Sequence, residues 1–190
     1  ITTQHAPIFI NGDNSFIPSN GVVLGSGTAD DPYIIENWVI DASSAHGVRI
    51  EDTTAYFVIR NCLVENGKGD RHDGVYLDNV VNGKIENNTC SNNSYGIYLY
   101  SSSYNTLSNN TCENNRYNFG VMGWGPSHFD HEIGTSNLID DRPIYYLKDK
   151  ADMVIGPSLN PGYLALVRCD NITVENLALE KNGQGILLAC

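Results

Sequence analysis

A chain of 190 residues has room for one domain with a substantial core and little room for a second. Its formal net charge of -11, from 22 acidic against 11 basic residues, repels phosphate backbones and anionic lipid surfaces, which argues against nucleic acid as a partner. No stretch approaches the roughly 18 apolar residues of a membrane span. Short β-type runs within a 41% hydrophobic composition argue against disorder, despite 23 Asn, 18 Gly and 24 Ser plus Thr.

Taken in chain order, residues 1–33 carry no regular period and read as an N-terminal cap. Tyr33-Ile34-Ile35 opens the first clear strand, closed by Asn37. Gly47-Val48-Arg49-Ile50 and Tyr56-Phe57-Val58-Ile59, with Asn61 after them, form the next unit. Residues 66–72 then read as a loop bulging from one turn. Gly74-Val75-Tyr76-Leu77 is followed by Lys84-Ile85-Glu86-Asn87-Asn88-Thr89-Cys90, and 22 residues later the whole unit recurs as Gly96-Ile97-Tyr98-Leu99 with Thr106-Leu107-Ser108-Asn109-Asn110-Thr111-Cys112. Residues 113–160 match poorly and read as irregular coils with loop insertions, with Phe119–Met122 and Ile144–Leu147 as their best strands. The frame returns in Leu164-Ala165-Leu166 with Val174-Glu175-Asn176, and again in Gly185–Leu188.

Two ladders follow: an apolar one through Ile50, Leu77, Leu99, Leu166 and Leu188, and an asparagine one through Asn37, Asn61, Asn87, Asn109 and Asn176. A repeat of about 22 residues with short alternating strands and no helical period defines an all-β solenoid. Parallel strands joined by crossovers wind right-handed in nearly all cases, so the expected fold is a right-handed parallel β-helix of about eight coils, one domain spanning 1–190. Val75, Leu77, Ile97 and Leu99 then face the core, Tyr76 and Tyr98 face outward, and the ladder asparagines pass amide hydrogen bonds along the stack.

These coils, together with Gly25–Trp38, Arg142–Leu147 and Asn182–Ala189, resemble the NosD-type, CASH-domain β-helix proteins, abundant among secreted surface proteins of methanogenic archaea. The resemblance covers nearly the whole chain. It implies a right-handed β-helix at an extracellular or cell-surface location. The copper-handling label of the family derives from members linked to nitrous oxide reductase maturation.

Cys90 and Cys112 hold equivalent places in adjacent coils, close enough for a disulfide or for two small buried side chains. Cys190 is the candidate for an intermolecular bond. Sequons at Asn87, Asn92, Asn109 and Asn171 would mark exposed glycan sites in a secreted chain, although their number is near chance at this composition. Asp70, His72 and Asp73 in the bulging loop, and His128, Asp130 and His131 in the irregular stretch, are donors suited to copper, zinc or calcium, set against solvated polar loops. No cofactor is required by any motif.

An enzyme of the polysaccharide lyase, hydrolase or epimerase type would need carboxylates paired across a sugar. Asp30-Asp31 and Asp140-Asp141 are adjacent in sequence, so they read as turn residues instead. Outward Tyr76, Tyr98 and Tyr145 offer a platform for sugar rings, and cell-surface polysaccharide is a candidate partner. The leading expectation is a non-catalytic structural protein of the cell envelope. The apolar end Leu187-Leu188-Ala189-Cys190, without a polar cap, points to head-to-tail self-association into a filament, sheath or surface layer. Carbohydrate binding or processing, and metal handling, are its rivals.

Overall fold

The computed structural model describes residues 3–69 and 71–190 and contains no α-helix among them. Among these residues, three sheets, parallel except at one pairing each in the side and base sheets, wrap one core. The front sheet of five strands stacks Ile8–Asn11, Val48–Thr53, Val75–Val80, Tyr95–Tyr100 and Tyr117–Met122. A side sheet stacks Tyr33–Glu36, Phe57–Arg60, Gly83–Glu86, Thr106–Ser108 and Glu132–Ile133, with Val22–Leu24 antiparallel on its outer edge. A nine-stranded base sheet begins with Thr3–His5, Trp38–Asp41, Leu63–Glu65, Thr89–Ser91, Thr111–Glu113 and Leu138–Ile139.

Register explains the repeat. Ile10, Ile50, Leu77, Leu99 and Val121 lie directly above one another inside the front sheet, as do Ile35, Ile59, Ile85, Leu107 and Ile133 in the side sheet. Each is buried, so every coil adds one layer to a single apolar column. Residues 3–11 already belong to coils; the irregular start is 12–32, where Phe16 stacks on Tyr33 at 4.6 Å and closes the column's N-terminal end.

The corners follow a two-residue rule. Asn87, Asn92, Asn109 and Asn114 take left-handed backbone, with φ of 56, 55, 55 and 56°, and point outward. Asparagine tolerates this region because its short polar side chain satisfies itself locally. The residue after each turns inward: Asn88, Asn93, Asn110 and Asn115 are all buried. These second asparagines build the amide stacks. Asn88 Nδ2 donates to Asn110 Oδ1 at 3.0 Å, and Asn110 Nδ2 to Asn137 Oδ1 at 2.8 Å. At the next corner Asn93 N donates to Asn115 Oδ1, Asn115 Nδ2 to Asn118 Oδ1, and Asn118 Nδ2 to Asp140 Oδ2. The expected ladder of Asn37, Asn61, Asn87, Asn109 and Asn176 is therefore corrected. All five are exposed at positive φ and serve the turn, while the amide stack runs through Asn88 and Asn110, the residues that follow Asn87 and Asn109.

The regular column ends after five complete coils, fewer than the eight expected. Asp140 and Asp141, with φ of 44 and 64°, reverse the chain, so Arg142–Lys148 pairs antiparallel with Leu138–Ile139. Tyr163–Val167 and Leu187–Ala189 then add parallel to Arg142–Lys148, completing the base sheet. This part of the sheet serves two cores. Tyr163, Ala165 and Val167 face the main column, whereas Leu164 and Leu166 face a second cluster with Ile155, Tyr145, Leu147, Ile172 and Val174. Ala151–Ile155 and Asp170–Val174 pair beyond it. Leu166 and Leu188 are thus stacked on each other but do not continue the column of Ile50, Leu77 and Leu99.

Candidate functional site

On the front sheet, outward positions alternate with the core positions. The register aligns Phe9, Arg49, Tyr76, Tyr98 and Gly120 in one row and Asn11, Glu51, Asp78, Tyr100 and Met122 in the next. The first row is a continuous stack. The Arg49 guanidinium lies 5.2 Å from the Phe9 ring and 5.6 Å from that of Tyr76, and Tyr76 stacks on Tyr98 at 5.6 Å and 26°. Tyr95 lies against Tyr98 at 4.4 Å and Tyr117 against Tyr95 at 5.0 Å. Trp124 projects from the loop after the last front strand, 79% exposed, with Nε1 donating to Tyr100 Oη at 3.2 Å.

Charge lies beside the rings. Arg49 Nε donates to Glu51 Oε1 at 2.6 Å, and Tyr76 Oη donates to Asp78 Oδ2 at 3.0 Å. Burial raises the Asp78 carboxyl above its usual range despite that hydrogen bond, with Glu51 adding repulsion. Burial likewise pushes the Tyr98 phenol up to about 12, so it is a neutral hydroxyl at any physiological pH. The face therefore combines ring surfaces, neutral phenols and two carboxylates already engaged by neighbours.

At the N-terminal end of this row lies a cavity of about 400 Å³ lined by Pro7, Ile8, Phe9, Ser44, Ala45, His46, Arg49 and His72. His46 stacks on Tyr76 at 5.2 Å and meets His72 edge-on at 5.8 Å. The backbone N–H of Asp73 donates to His46 Nδ1 at 2.9 Å, nearer than the Asp73 carboxylate at 3.4 Å, so His46 carries its proton on Nε2. His72 Nδ1 lies 3.0 Å from the carbonyl oxygen of Ala42, which can only accept; Nδ1 is therefore the donor, and in the neutral ring Nε2 is the acceptor.

The remaining sequence candidates fall as follows. Asp70 lies outside the described residues. His72 and Asp73 flank the cavity, but Asp73 is buried and accepts from the backbone N–H of Tyr95 at 2.9 Å. His128, Asp130 and His131 do not converge. His128 Nδ1 accepts from the Trp124 amide, and Asp130 pairs with Lys148 at 2.8 Å, which lowers its carboxyl. His131, 1% exposed, stands in a corner stack, accepting from Asn105 N and donating to His128 O. Among the described residues no group of three or more His, Cys, Asp or Glu gathers in metal-ligating geometry. Tyr145 does not join Tyr76 and Tyr98: it lies on the base sheet, packed against the second core. Cys90 and Cys112 are in register and buried, Cys190 is exposed, and all five cysteines are free thiols. Asn87, Asn92, Asn109 and Asn171 are all exposed corners. Sequence reasoning missed Arg49, Glu51, Asp78, Tyr100, Trp124 and His46. Equal offset from the core ladder, as in Glu51 and Asp78 one residue after Ile50 and Leu77, was the available signal.

The architecture defines a parallel β-solenoid whose outer front face carries an aromatic row. The chain belongs to the right-handed β-helix family, whose model, described as "Right handed beta helix region", matches residues 2–190. No curated protein and no solved structure matches the chain.

Proposed function

We propose that this chain is a non-catalytic, extracellular β-helix domain that binds carbohydrate along its front face. The observation that carries the reading is the unbroken row Phe9–Arg49–Tyr76–Tyr98, extended by Tyr100 and Trp124. Sugar rings present C–H faces that pack on aromatic rings, while their hydroxyls need nearby donors and acceptors. Arg49 within the row, Glu51 and Asp78 in the row beside it, and the phenol groups offer those. Glu51 and Asp78 are already engaged by Arg49 and Tyr76, which fits holding a ligand better than cleaving it. Four exposed sequons fit a location outside the cell, and in this reading the chain stands with the NosD-type, CASH-domain surface proteins.

The test is an oligosaccharide array probed with the native chain, Tyr98→Ala and Trp124→Ala. Selective binding that either substitution weakens at least tenfold supports the reading. A native chain that retains no glycan on the array refutes it.

Self-association is a second reading, favoured by Leu188, 70% exposed, and Val154, 65% exposed, beside the second core. Sedimentation velocity of the native chain and Leu188→Glu checks it: concentration-dependent growth that the charge abolishes is the expected result.

A further inference from the structure

We infer that the cavity lined by Phe9, His46, Arg49 and His72 is a terminal subsite that receives one neutral sugar unit at the end of a glycan lying along the aromatic row. The inference rests on the glycan reading above and adds to it a position, a ligand charge and a polarity.

Position comes from the two ends of the row. At its C-terminal end, Gly120 stands where a further ring would continue the stack; a Cβ there would lie 2.7 Å from Tyr95 and 3.3 Å from Tyr98, so the rings themselves fill the space. Residues 181–184 run alongside, with Gly183 N donating to Phe119 O, and a Cβ on Gly183 would lie 2.8 Å from the Tyr95 ring. At the N-terminal end the row opens into the cavity, whose volume falls within the range of about 300–1,000 Å³ typical of small-ligand sites.

Ligand class comes from the framework hydrogen bonds. In the neutral rings, 5.8 Å apart, they select opposite tautomers, so the pair presents one N–H donor, His46 Nε2, and one lone-pair acceptor, His72 Nε2. A hydroxyl pair on a pyranose can both accept and donate, and it matches this arrangement. A carboxylate or phosphate accepts only, leaving the His72 lone pair facing negative charge. Arg49, the one Lys or Arg lining the cavity among the described residues, is already paired with Glu51, and the chain as a whole carries a formal charge of -11. Both facts favour a neutral unit. Apolar Pro7, Ile8, Phe9 and Ala45 supply the surface for its C–H face.

Three variants of the full chain separate this from the general reading: Ser44→Trp, which fills the cavity from an exposed position; His72→Phe, which removes the acceptor; and Tyr98→Ala, which cuts the row. Affinity is measured by titration calorimetry with linear neutral oligosaccharides of glucose, mannose, galactose and N-acetylglucosamine, and with their uronate counterparts. Circular dichroism confirms folding, and Ser44→Trp keeps the test valid should His72→Phe unfold. The expected result is binding of a neutral oligosaccharide, weakened at least tenfold by Ser44→Trp and by His72→Phe, and lost when one chain end of the ligand is capped. Native affinity in both cavity variants, with loss only in Tyr98→Ala, overturns the subsite and leaves the glycan reading standing. Preference for uronates overturns the neutral assignment. No binding by the native chain overturns both.

Discussion

Lowering the pH should destabilise this protein through one buried imidazole. His131 occupies a corner position that asparagine fills elsewhere: its Nδ1 accepts the N–H of Asn105, as Asn105 Oδ1 accepts that of Gly83. Burial holds its pKa at about 4, against 6.5 for the free side chain. The folded state thus stays neutral where the unfolded chain binds a proton, and stability rises with pH across that window. The contribution is complete above pH 6.5 and lost progressively as the pH falls toward 4. At pH 5 the two values imply a loss of ~2 kcal/mol relative to pH 7.5. His131→Asn keeps the acceptor and removes the titration. It should cost about 1–2 kcal/mol at pH 7.5 for the lost ring packing against Tyr146, 6.3 Å away. Urea unfolding of both proteins at pH 5, 6 and 7.5 measures the difference. Equal pH slopes in native and variant would refute the assignment, since the carboxylates are common to both.

Asn110→Leu should destabilise by about 2–3 kcal/mol, because it strands the Asn88 amide and the Ile85 carbonyl in the core; a loss below about 0.5 kcal/mol in urea would contradict the stack. At the adjacent corner, Asn109→Ala should cost about 1 kcal/mol while Asn109→Gly is near neutral, the order expected for a backbone at φ 55°. Gly96→Ala should lower the melting temperature, since its Cβ would lie 2.6 Å from Asn118 O and 2.9 Å from Cys112 Cβ; an unchanged melt would show the coils are looser than drawn. Cys190 should react with Ellman's reagent in the native protein, whereas Cys62, Cys90 and Cys112 react only after unfolding. Burial pushes the Cys62 thiol up to about 11, and rapid native labelling of it would rule out the buried column.

The solenoid was legible because its period is enforced twice, by core residues 22 apart and by asparagines at each corner. The insertion at 66–72 was legible for the same reason: Val48 and Val75 remain in register although 27 residues separate them. The role of the asparagines was misread because both members of each Asn-Asn pair repeat with the same period. Periodicity alone cannot say which one turns inward; only the left-handed backbone of the first decides it. The direction reversal at Asp140-Asp141 was hidden, since an antiparallel rung preserves the alternation of a parallel one. Tyr145 alternates with the core residues Ile144 and Tyr146, but on this strand the opposite side faces a second core instead of solvent. Glu51 and Asp78 escaped notice because carboxylates were sought as sequence neighbours, whereas a solenoid pairs residues one coil apart.

The rest of the fold leaves the outer surface of the front sheet uncovered. The reversal places the second core against the outer surface of the base sheet, where Leu164 and Leu166 would otherwise face solvent. On the side sheet, the outward row is occupied by the pairs Glu36–Arg60 and Lys84–Glu86. Partly exposed ion pairs of this kind contribute little stability and present a hydrated surface. Among the described residues, the outward-facing rings that successive coils place in register are Tyr76 and Tyr98 of the front sheet, and rings that stack on one another leave an edge along the row. A face stabilised by its own stacking needs no covering element, so the aromatic surface persists as a preorganised platform. Substituting Tyr76 should therefore disturb the row in both directions, toward Arg49 and toward Tyr98, and weaken ligand binding more than the loss of one ring alone.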